Sequence, residues 1–262
     1  VELTGAGAQL LRTVLPSLES LDSTVRLIRR SAGRRSVTIS TWASFASMWL
    51  IPRLEDFQSA HPDIDIRIDA SDVPVDMETA DIDIALRYAR PVQAPAGAVR
   101  LFGEQLAPVA SPWLLKSGHV IKNGSDLAHF GLIEASDSHR TQNLEWLTWR
   151  RWLDTHNFKT LEPKRWLYFN YAHQIAQAAL TGQGLALARM PLVADSLASG
   201  DLVEILPHMR LDSPMVYWLI VGPRSAARPE IVAFCSWLQI QAEKTRFAIG
   251  DVPQSNTVTT PD

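Results

Sequence analysis

The chain has 262 residues, of which 46% are hydrophobic and 20% are charged, and this composition is typical of a folded globular protein with one large domain or two smaller ones. Its formal net charge of −3 argues against strong nucleic-acid binding by these residues, because such binding depends on a clustered excess of Lys and Arg. No stretch is apolar enough for a membrane span, and residues 1–11 lack the layout of a signal peptide. A single cysteine, Cys235, favours a reducing compartment, and we therefore expect a cytoplasmic protein.

The first predicted element is a long helix over residues 8–28, with one apolar stripe at spacings of three and four. We expect Pro16 to kink or restart this helix, and the arginines around Gly33 to follow it as a flexible hinge. Residues 1–34 are interpreted as a linker that pairs with a second copy of the chain, and an ordinary surface helix is the alternative. The stripe comprises Leu11, Val14, Leu15, Leu18, Leu21, Val25 and Ile28.

Strand and helix patterns alternate through the rest of the chain, which predicts an α/β protein with mostly parallel sheets. The tail, residues 250–262, is polar with two prolines and is predicted to be disordered. Strands are predicted over 37–40, 64–68, 82–87, 101–111, 131–134, 165–170, 185–189 and 216–221, and helices over 44–60, 112–117, 144–155, 172–180, 191–198 and 229–244.

Several segments resemble the LysR-type transcriptional regulator family and occur in the order expected for it. They are LTGAG at 3–7, SFASMWLIPRL at 44–54, DIDIALRY at 81–88, GQGLALAR at 182–189, VAD at 193–195 and LASGDL at 197–202. The WLIPR sequence at 49–53 and the Arg87-Tyr88 pair are most similar to the branch of glycine-cleavage activators and β-lactamase regulators. The resemblance extends over about residues 1–245.

This resemblance implies a type 2 periplasmic-binding-protein-like fold, in which two α/β subdomains enclose a cleft and a long linker helix precedes them. The first subdomain would comprise residues 36–108 plus 208–247, and the second residues 109–207. A small-molecule effector would bind in the cleft and be relayed to DNA-binding heads, through a homodimer or homotetramer. DNA would be contacted by a winged helix-turn-helix that is absent N-terminal to Val1. No cofactor and no enzymatic activity are expected.

The first candidate half-site is the turn between the first strand and its helix, which contains Thr41, Trp42 and Ser44. Strand ends and the following helix N-termini line the cleft in such folds, and free N–H groups there favour an anion. Ser44 is a candidate N-cap whose hydroxyl could also hold a carboxylate, and it falls where the β-lactamase regulators carry a ligand-binding Thr. A plain N-cap at Ser44 and a packed loop anchor at Trp42 are the alternatives.

The second candidate half-site follows the strand at 165–170. Asn170, Tyr171, His173 and Gln174 lie at the start of the next helix, where polar side chains would face the cleft. The alternative is that His173 and Gln174 cap this helix and contact solvent.

Two further effector-binding residues are implied by the resemblance alone. Asp76 aligns with an Asp tied to activation in the β-lactamase regulators, and Tyr217 falls near a binding-site Tyr of that branch. A carboxylate at Asp76 would attract an amino group, which suits an amino-acid-like or peptide-like effector.

Other chemistries have little support in the sequence. The histidines lack metal-ligand spacing, and the turn after Thr181 lacks the Gly-Lys-Ser/Thr ending of a phosphate loop. A free-standing solute-binding protein of the same fold is the main alternative, although the linker helix disfavours it. An enzyme on this fold is the second alternative, but no catalytic arrangement is recognisable.

Overall fold

The computed structural model describes residues 4–31, 35–71, 77, 80–117, 119–136 and 144–251. No helix in these ranges is both long and apolar enough to cross a membrane. The helices are α1 Gly5–Ser31, α2 Ala43–Phe45, α3 Leu54–Ala60, α4 Pro112–Ser117, α5 Trp149–Thr155, α6 Ala172–Leu180, α7 Met190–Ser199 and α8 Pro229–Ile249. The strands are β1 Arg35–Thr41, β2 Ile64–Ala70, β3 Ile84–Ala89, β4 Val99–Ala110, β5 Gly131–Ala135, β6 Arg165–Phe169, β7 Leu185–Arg189, β8 Val203–Glu204 and β9 Leu211–Val221.

The strands follow the order β2-β1-β3-β9-β4-β7-β5-β6, with β8 paired to β4. Pairing is parallel between β1 and its neighbours β2 and β3, and between β5 and its neighbours β6 and β7. The two long strands β4 and β9 pair antiparallel with each other and with the strands beside them. The α/β class is therefore confirmed, whereas the expectation of mostly parallel pairing is wrong, because the chain crosses between the halves on antiparallel strands.

Separate hydrophobic cores lie on the two halves of this strand order. The core of the first half packs Trp49, Phe57 and Phe234 against β1, β2, β3 and β9. In the second half, Trp149 and Trp152 are fully buried beside β5 and β7, as one face of the predicted Trp-rich helix. Each indole satisfies its buried N–H by donating to a backbone carbonyl, Trp149 to Ile133 and Trp152 to Met209. The boundaries 36–108 plus 208–247 and 109–207 stay a prediction.

The helical segment after β1 changes helix type three times. After α2 it forms a π-helical turn over Ala46–Leu50 and a 3-10 turn over Ile51–Arg53 before α3 begins. Pro52 has no backbone N–H to donate, and π turns accommodate such local irregularity. Trp49 within the π turn is buried, and its indole N–H donates to the Thr245 hydroxyl at 2.9 Å. This bond ties the segment to α8.

The crossover strand β4 is irregular where it leaves the first half. Its pairing with β9 shifts register between Arg100 and Phe102, and again between Gly103 and Glu104. Asp251, just after α8, pairs with the Arg100 guanidinium and accepts the backbone N–H of Gly103. Gly250 and Asp251, which the sequence assigns to a disordered tail, are thus part of the described fold, and residues 252–262 lie outside it.

Several element boundaries differ from the sequence prediction. Helix α1 continues through Pro16, so the expected restart at this residue is wrong. Residues 32–34, where a hinge is predicted, lie outside the described residues. The predicted helix over 144–155 is a 3-10 turn followed by α5, and β9 begins at Leu211, before the predicted start at Val216.

Gly184 provides a test of how closely β5 and β7 approach. A Cβ atom at Gly184 would lie 2.4 Å from the carbonyl oxygen of Gly131, which is backbone and cannot rotate away. We expect Gly184→Ala to lower the free energy of unfolding by roughly 1–3 kcal/mol, as overpacking typically does. Urea denaturation measures the effect, and Gly5→Ala is the control because a Cβ there meets nothing within 4 Å. Equal midpoints for the two variants would contradict this packing.

Glu134 provides a test of pH dependence. Burial raises the pKa of Glu134 from 4.5 to about 7, although its carboxylate accepts the N–H groups of Ala135 and Trp149. The folded state therefore binds more protons than the unfolded state between these values, and the free energy of unfolding should fall as pH rises through this window. Glu134→Gln should reduce this decrease in the free energy of unfolding. The control Glu162→Gln changes an exposed glutamate and should leave the decrease unchanged. Urea denaturation of each variant at about pH 5 and about pH 8 measures how its free energy of unfolding depends on pH.

Candidate functional site

The two predicted half-sites contact each other directly. Ser44, after β1, places its hydroxyl oxygen 3.2 Å from Nδ1 of His173, after β6. The backbone N–H of His173 also donates to this hydroxyl, over a longer distance of 3.4 Å. Because these residues follow the carboxyl ends of strands in different halves of the sheet, their contact joins the two halves.

Ser44 is not the N-cap of its helix, so that expectation is wrong. Helix α2 begins at Ala43, and Trp42 takes the cap position in an extended conformation without a side-chain cap bond. Ser44 is therefore inside the first turn, with 3% of its surface exposed. Its hydroxyl is free of a capping role and faces His173 instead.

Thr41 and Trp42 are the other two residues of the first half-site. Thr41 is fully buried, and its hydroxyl has no hydrogen-bond partner among the described residues. The Trp42 ring packs against Phe45, Tyr88 and Tyr217, at centroid distances of 5.1, 5.9 and 5.6 Å. Its indole N–H is also buried, and it has no partner within the described ranges. The Trp42 ring is thus packed against its aromatic neighbours, while its indole N–H has no hydrogen-bond acceptor among the described residues.

The second half-site combines a capping role with a surface role. The Gln174 side chain accepts the backbone N–H of Tyr171 at 3.3 Å, as the alternative interpretation of this segment expects. The Tyr171 ring stacks on His173 with centroids 5.3 Å apart. Asn170 is exposed at the end of β6. Only His173 of these four reaches across to Ser44 in the hydrogen bonds described above.

Trp42 belongs to a largely buried polar cluster that we call the floor cluster. Its members are Trp42, Tyr88, Glu104, Arg189 and Tyr217. Glu104 is at its centre and has a fully buried side chain. Its Oε1 accepts both the Arg189 Nε–H and the Tyr217 hydroxyl, the latter at 2.6 Å, and its Oε2 accepts the Tyr88 hydroxyl. The Arg189 guanidinium lies 4.1 Å from the Tyr88 ring centre and 5.4 Å from that of Tyr217.

Electrostatics fix the protonation states of this cluster. Burial lowers the pKa of Arg189, but the charge of Glu104, the neighbouring Tyr217 and Tyr88, and the hydrogen bond to Glu104 together raise that pKa above its ordinary value. Burial raises the pKa of the Tyr88 and Tyr217 hydroxyls well above their usual value, and the charge of Glu104 adds to the effect. Arg189 therefore remains a cation, and both tyrosines remain neutral donors.

A groove of about 700 Å³ borders the contact between Ser44 and His173. Its volume lies in the range of small-molecule sites, which is roughly 300–1,000 Å³. One wall comes from the helical segment after β1 and the other from α6 and α7. The polar and flexible groups on these walls include Ser47, Met48, His173, Gln174, Gln177 and Asp195.

Sequence reasoning missed three members of the floor cluster, namely Tyr88, Glu104 and Arg189. Glu104 is a carboxylate inside a strand, and Arg189 ends a strand directly before a helix. Both patterns were available as signals, because strand ends face the cleft and a charge in a strand core needs a partner. Asp76 lies outside the described residues.

Metal and thiol chemistry have little support at these residues. Across the described ranges, no group of three His, Cys, Asp or Glu side chains is placed to hold a metal ion. Burial raises the pKa of the Cys235 thiol to about 11, so this cysteine is protonated near neutral pH and is a poor nucleophile.

Comparison with known proteins gives one consistent family. The profile of the LysR substrate binding domain matches residues 30–243. The glycine cleavage system transcriptional activator of Escherichia coli (strain K12) is 30% identical over 249 residues, which are 94% of this chain and 79% of that protein. The transcriptional activator AmpR of Pseudomonas aeruginosa is 29% identical over 231 residues, covering 86% of this chain and 74% of that protein.

A solved structure extends the likeness to three dimensions. The effector domain of AmpR from Pseudomonas aeruginosa is 26% identical, with a TM-score of 0.58, and the match covers 81% of this chain and 98% of that chain. The expected type 2 periplasmic-binding-protein-like fold, with two α/β subdomains and a cleft, is thereby confirmed. The chain belongs to the LysR-type transcriptional regulator family and forms an effector-binding region of that family.

Proposed function

We propose that the cleft binds a small carboxylate- or amino-acid-like effector and that binding changes the relative pose of the two subdomains. The observation that carries this proposal is the contact between Ser44 and His173, since a ligand at this point touches both subdomains. A ligand shifts such an equilibrium only by its difference in affinity for the two poses. A ligand that contacts Ser44 and His173 together would bind the two poses with different affinity, because the distance between these residues changes with the pose.

The chemistry of the walls favours an anionic group. The N-termini of the helical segment after β1 and of α6 both lie at the contact, and helix N-termini attract negative charge. The side chains proposed for the effector are Thr41, Trp42, Ser44, Asn170, Tyr171, His173, Gln174 and Tyr217, together with Asp76. An ammonium group near Asp76 would complete the recognition of an amino acid.

We also propose that the protein acts as a homodimer or homotetramer in the cytoplasm, without enzymatic turnover, and that α1 mediates the assembly. The described apolar side chains of the α1 stripe are exposed, Leu18 by 56% and Leu21 by 62%, and an apolar stripe of this kind is stabilised by pairing with another helix. The effector signal would then reach a DNA-binding part of the protein through α1. The regulator relatives support this role over that of a free-standing solute-binding protein.

A thermal-shift screen tests the effector site. We expect an amino acid, small carboxylate or cell-wall peptide at about 100 times its dissociation constant to stabilise the protein by roughly 2.7 kcal/mol, or roughly 5–10 °C. Ser44→Ala should weaken that ligand about tenfold, because it removes the bridging hydroxyl. Ser59→Ala is the matched control, since Ser59 is exposed on α3 and bonds only to Glu55 in the described structure. A ligand that binds wild type and Ser44→Ala equally would refute the role of this residue.

Light scattering after size exclusion tests the assembly. We expect the wild-type chain to be a dimer or larger, and Leu11→Lys with Leu18→Lys to give a smaller species, because two charges then lie on the stripe. Gln9→Lys with Thr13→Lys adds the same charge on exposed positions away from the stripe and should leave the mass unchanged. A monomeric wild type would contradict the proposed role of α1.

A further inference from the structure

The floor cluster contains two buried N–H groups that have no hydrogen-bond partner among the described residues. Nη2 of Arg189 and Nε1 of Trp42 are both inaccessible to solvent, and neither has a hydrogen-bond partner among the described residues. Buried donors are nearly always paired, because leaving one unpaired costs its full desolvation. An unpaired cationic N–H and an unpaired indole N–H in the same cluster therefore point to a missing acceptor.

The two residues that carry these donors come from opposite subdomains. Arg189 ends β7 in the second subdomain, and Trp42 follows β1 in the first. Both pack on the same pair of rings, because Tyr88 and Tyr217 each contact the Trp42 ring and the Arg189 guanidinium. An acceptor that reaches both donors would bridge the subdomains behind the contact between Ser44 and His173.

The polar groups of the floor cluster bond to one another and not to these two donors. The Glu104 carboxylate accepts from Arg189 Nε, Tyr217 and Tyr88. The two tyrosine hydroxyls donate to Glu104. Among the described residues, no acceptor is placed at Nη2 of Arg189 or at Nε1 of Trp42.

We infer that Arg189 and Trp42 form the receptor for the carboxylate of the effector, with Arg189 as the residue that sets specificity for an anion. This inference rests on the proposed function, since it assigns one end of the effector in the same cleft. The carboxylate accepts from Nη2 of Arg189 and from Nε1 of Trp42, while Glu104 holds the guanidinium in place through Nε. The uncharged amide of the same acid is expected to bind poorly, because it lacks the charge that a buried cation selects.

The test uses small probes that differ only in charge. Acetate and glycine, with acetamide and glycinamide as their amides, are titrated in the millimolar range into the full chain labelled with ¹⁵N at its nine tryptophans. We expect acetate and glycine to shift one indole N–H signal, which Trp42→Phe identifies by its loss, and the amides to leave that signal in place. No shift of the Trp42 signal with either carboxylate overturns the inference.

Variants then assign the contacts, with dissociation constants taken from backbone amide shifts. Arg189→Lys keeps the charge but removes the second guanidinium N–H, and should weaken acetate at least about tenfold. Trp42→Phe keeps an aromatic ring and should weaken it about three- to tenfold, so it tests the site even where Arg189→Lys is poorly folded. Arg210→Lys and Trp237→Phe are matched controls, because Arg210 pairs with Glu204 and Trp237 donates to Asp56, and both should bind as wild type.

Failure of this inference and failure of the proposed function give different results. Wild-type affinity for acetate in both Arg189→Lys and Trp42→Phe overturns the inference. If Ser44→Ala still weakens the binding of a ligand from the thermal-shift screen, the proposed effector cleft is retained, and only the assignment of Arg189 and Trp42 to the carboxylate is wrong. Equal binding of amides and carboxylates overturns the specificity assigned to Arg189 in the same way.

Discussion

The fully buried charge of Glu104 is the constraint around which the two subdomains are joined. A carboxylate without solvent must be neutralised and hydrogen-bonded where it lies, since the cost of leaving it bare is far larger than a typical stabilising contact. The groups that satisfy it come from β3, β7 and β9, and Glu104 itself is on β4. These strands lie in both halves of the strand order, so the relative placement of the two halves is part of what makes this charge tolerable.

The body and α1 differ in how completely they satisfy their own groups. In the body, several buried indole N–H groups find partners, as Trp49 does with Thr245 and Trp152 with Met209. Nη2 of Arg189 and Nε1 of Trp42 are among the buried polar atoms of the described residues that have no partner. The described apolar side chains of α1 are instead exposed to solvent.

Much of the fold follows from periodicity, because apolar spacing reports which face of an element is buried. Strands β1, β5 and β7 and helices α4 and α6 lie within a residue or two of their predicted bounds. The first part of β9 was missed because Pro214 and polar residues interrupt its alternation, although the strand pairs with β4 there. Mostly parallel pairing was the wrong expectation, because local alternation of strand and helix carries no information about long crossover strands.

The site was predictable only in part. Helix starts after strands are visible in sequence, and this led to Ser44 and His173, which do meet. The floor cluster joins residues 88, 104, 189 and 217, and no local pattern states that such distant positions converge. Asp76 and Tyr217 came from family resemblance, and the structure places Tyr217 against Glu104 while Asp76 lies outside the described residues.

The two register shifts in β4 have a structural consequence. A bulge bends its strand and increases the local twist, so β4 changes direction where it passes between the two halves of the strand order. Glu104 lies at the second shift. The irregularity that turns the strand therefore also places the buried carboxylate where Arg189 of β7 and Tyr217 of β9 both reach it.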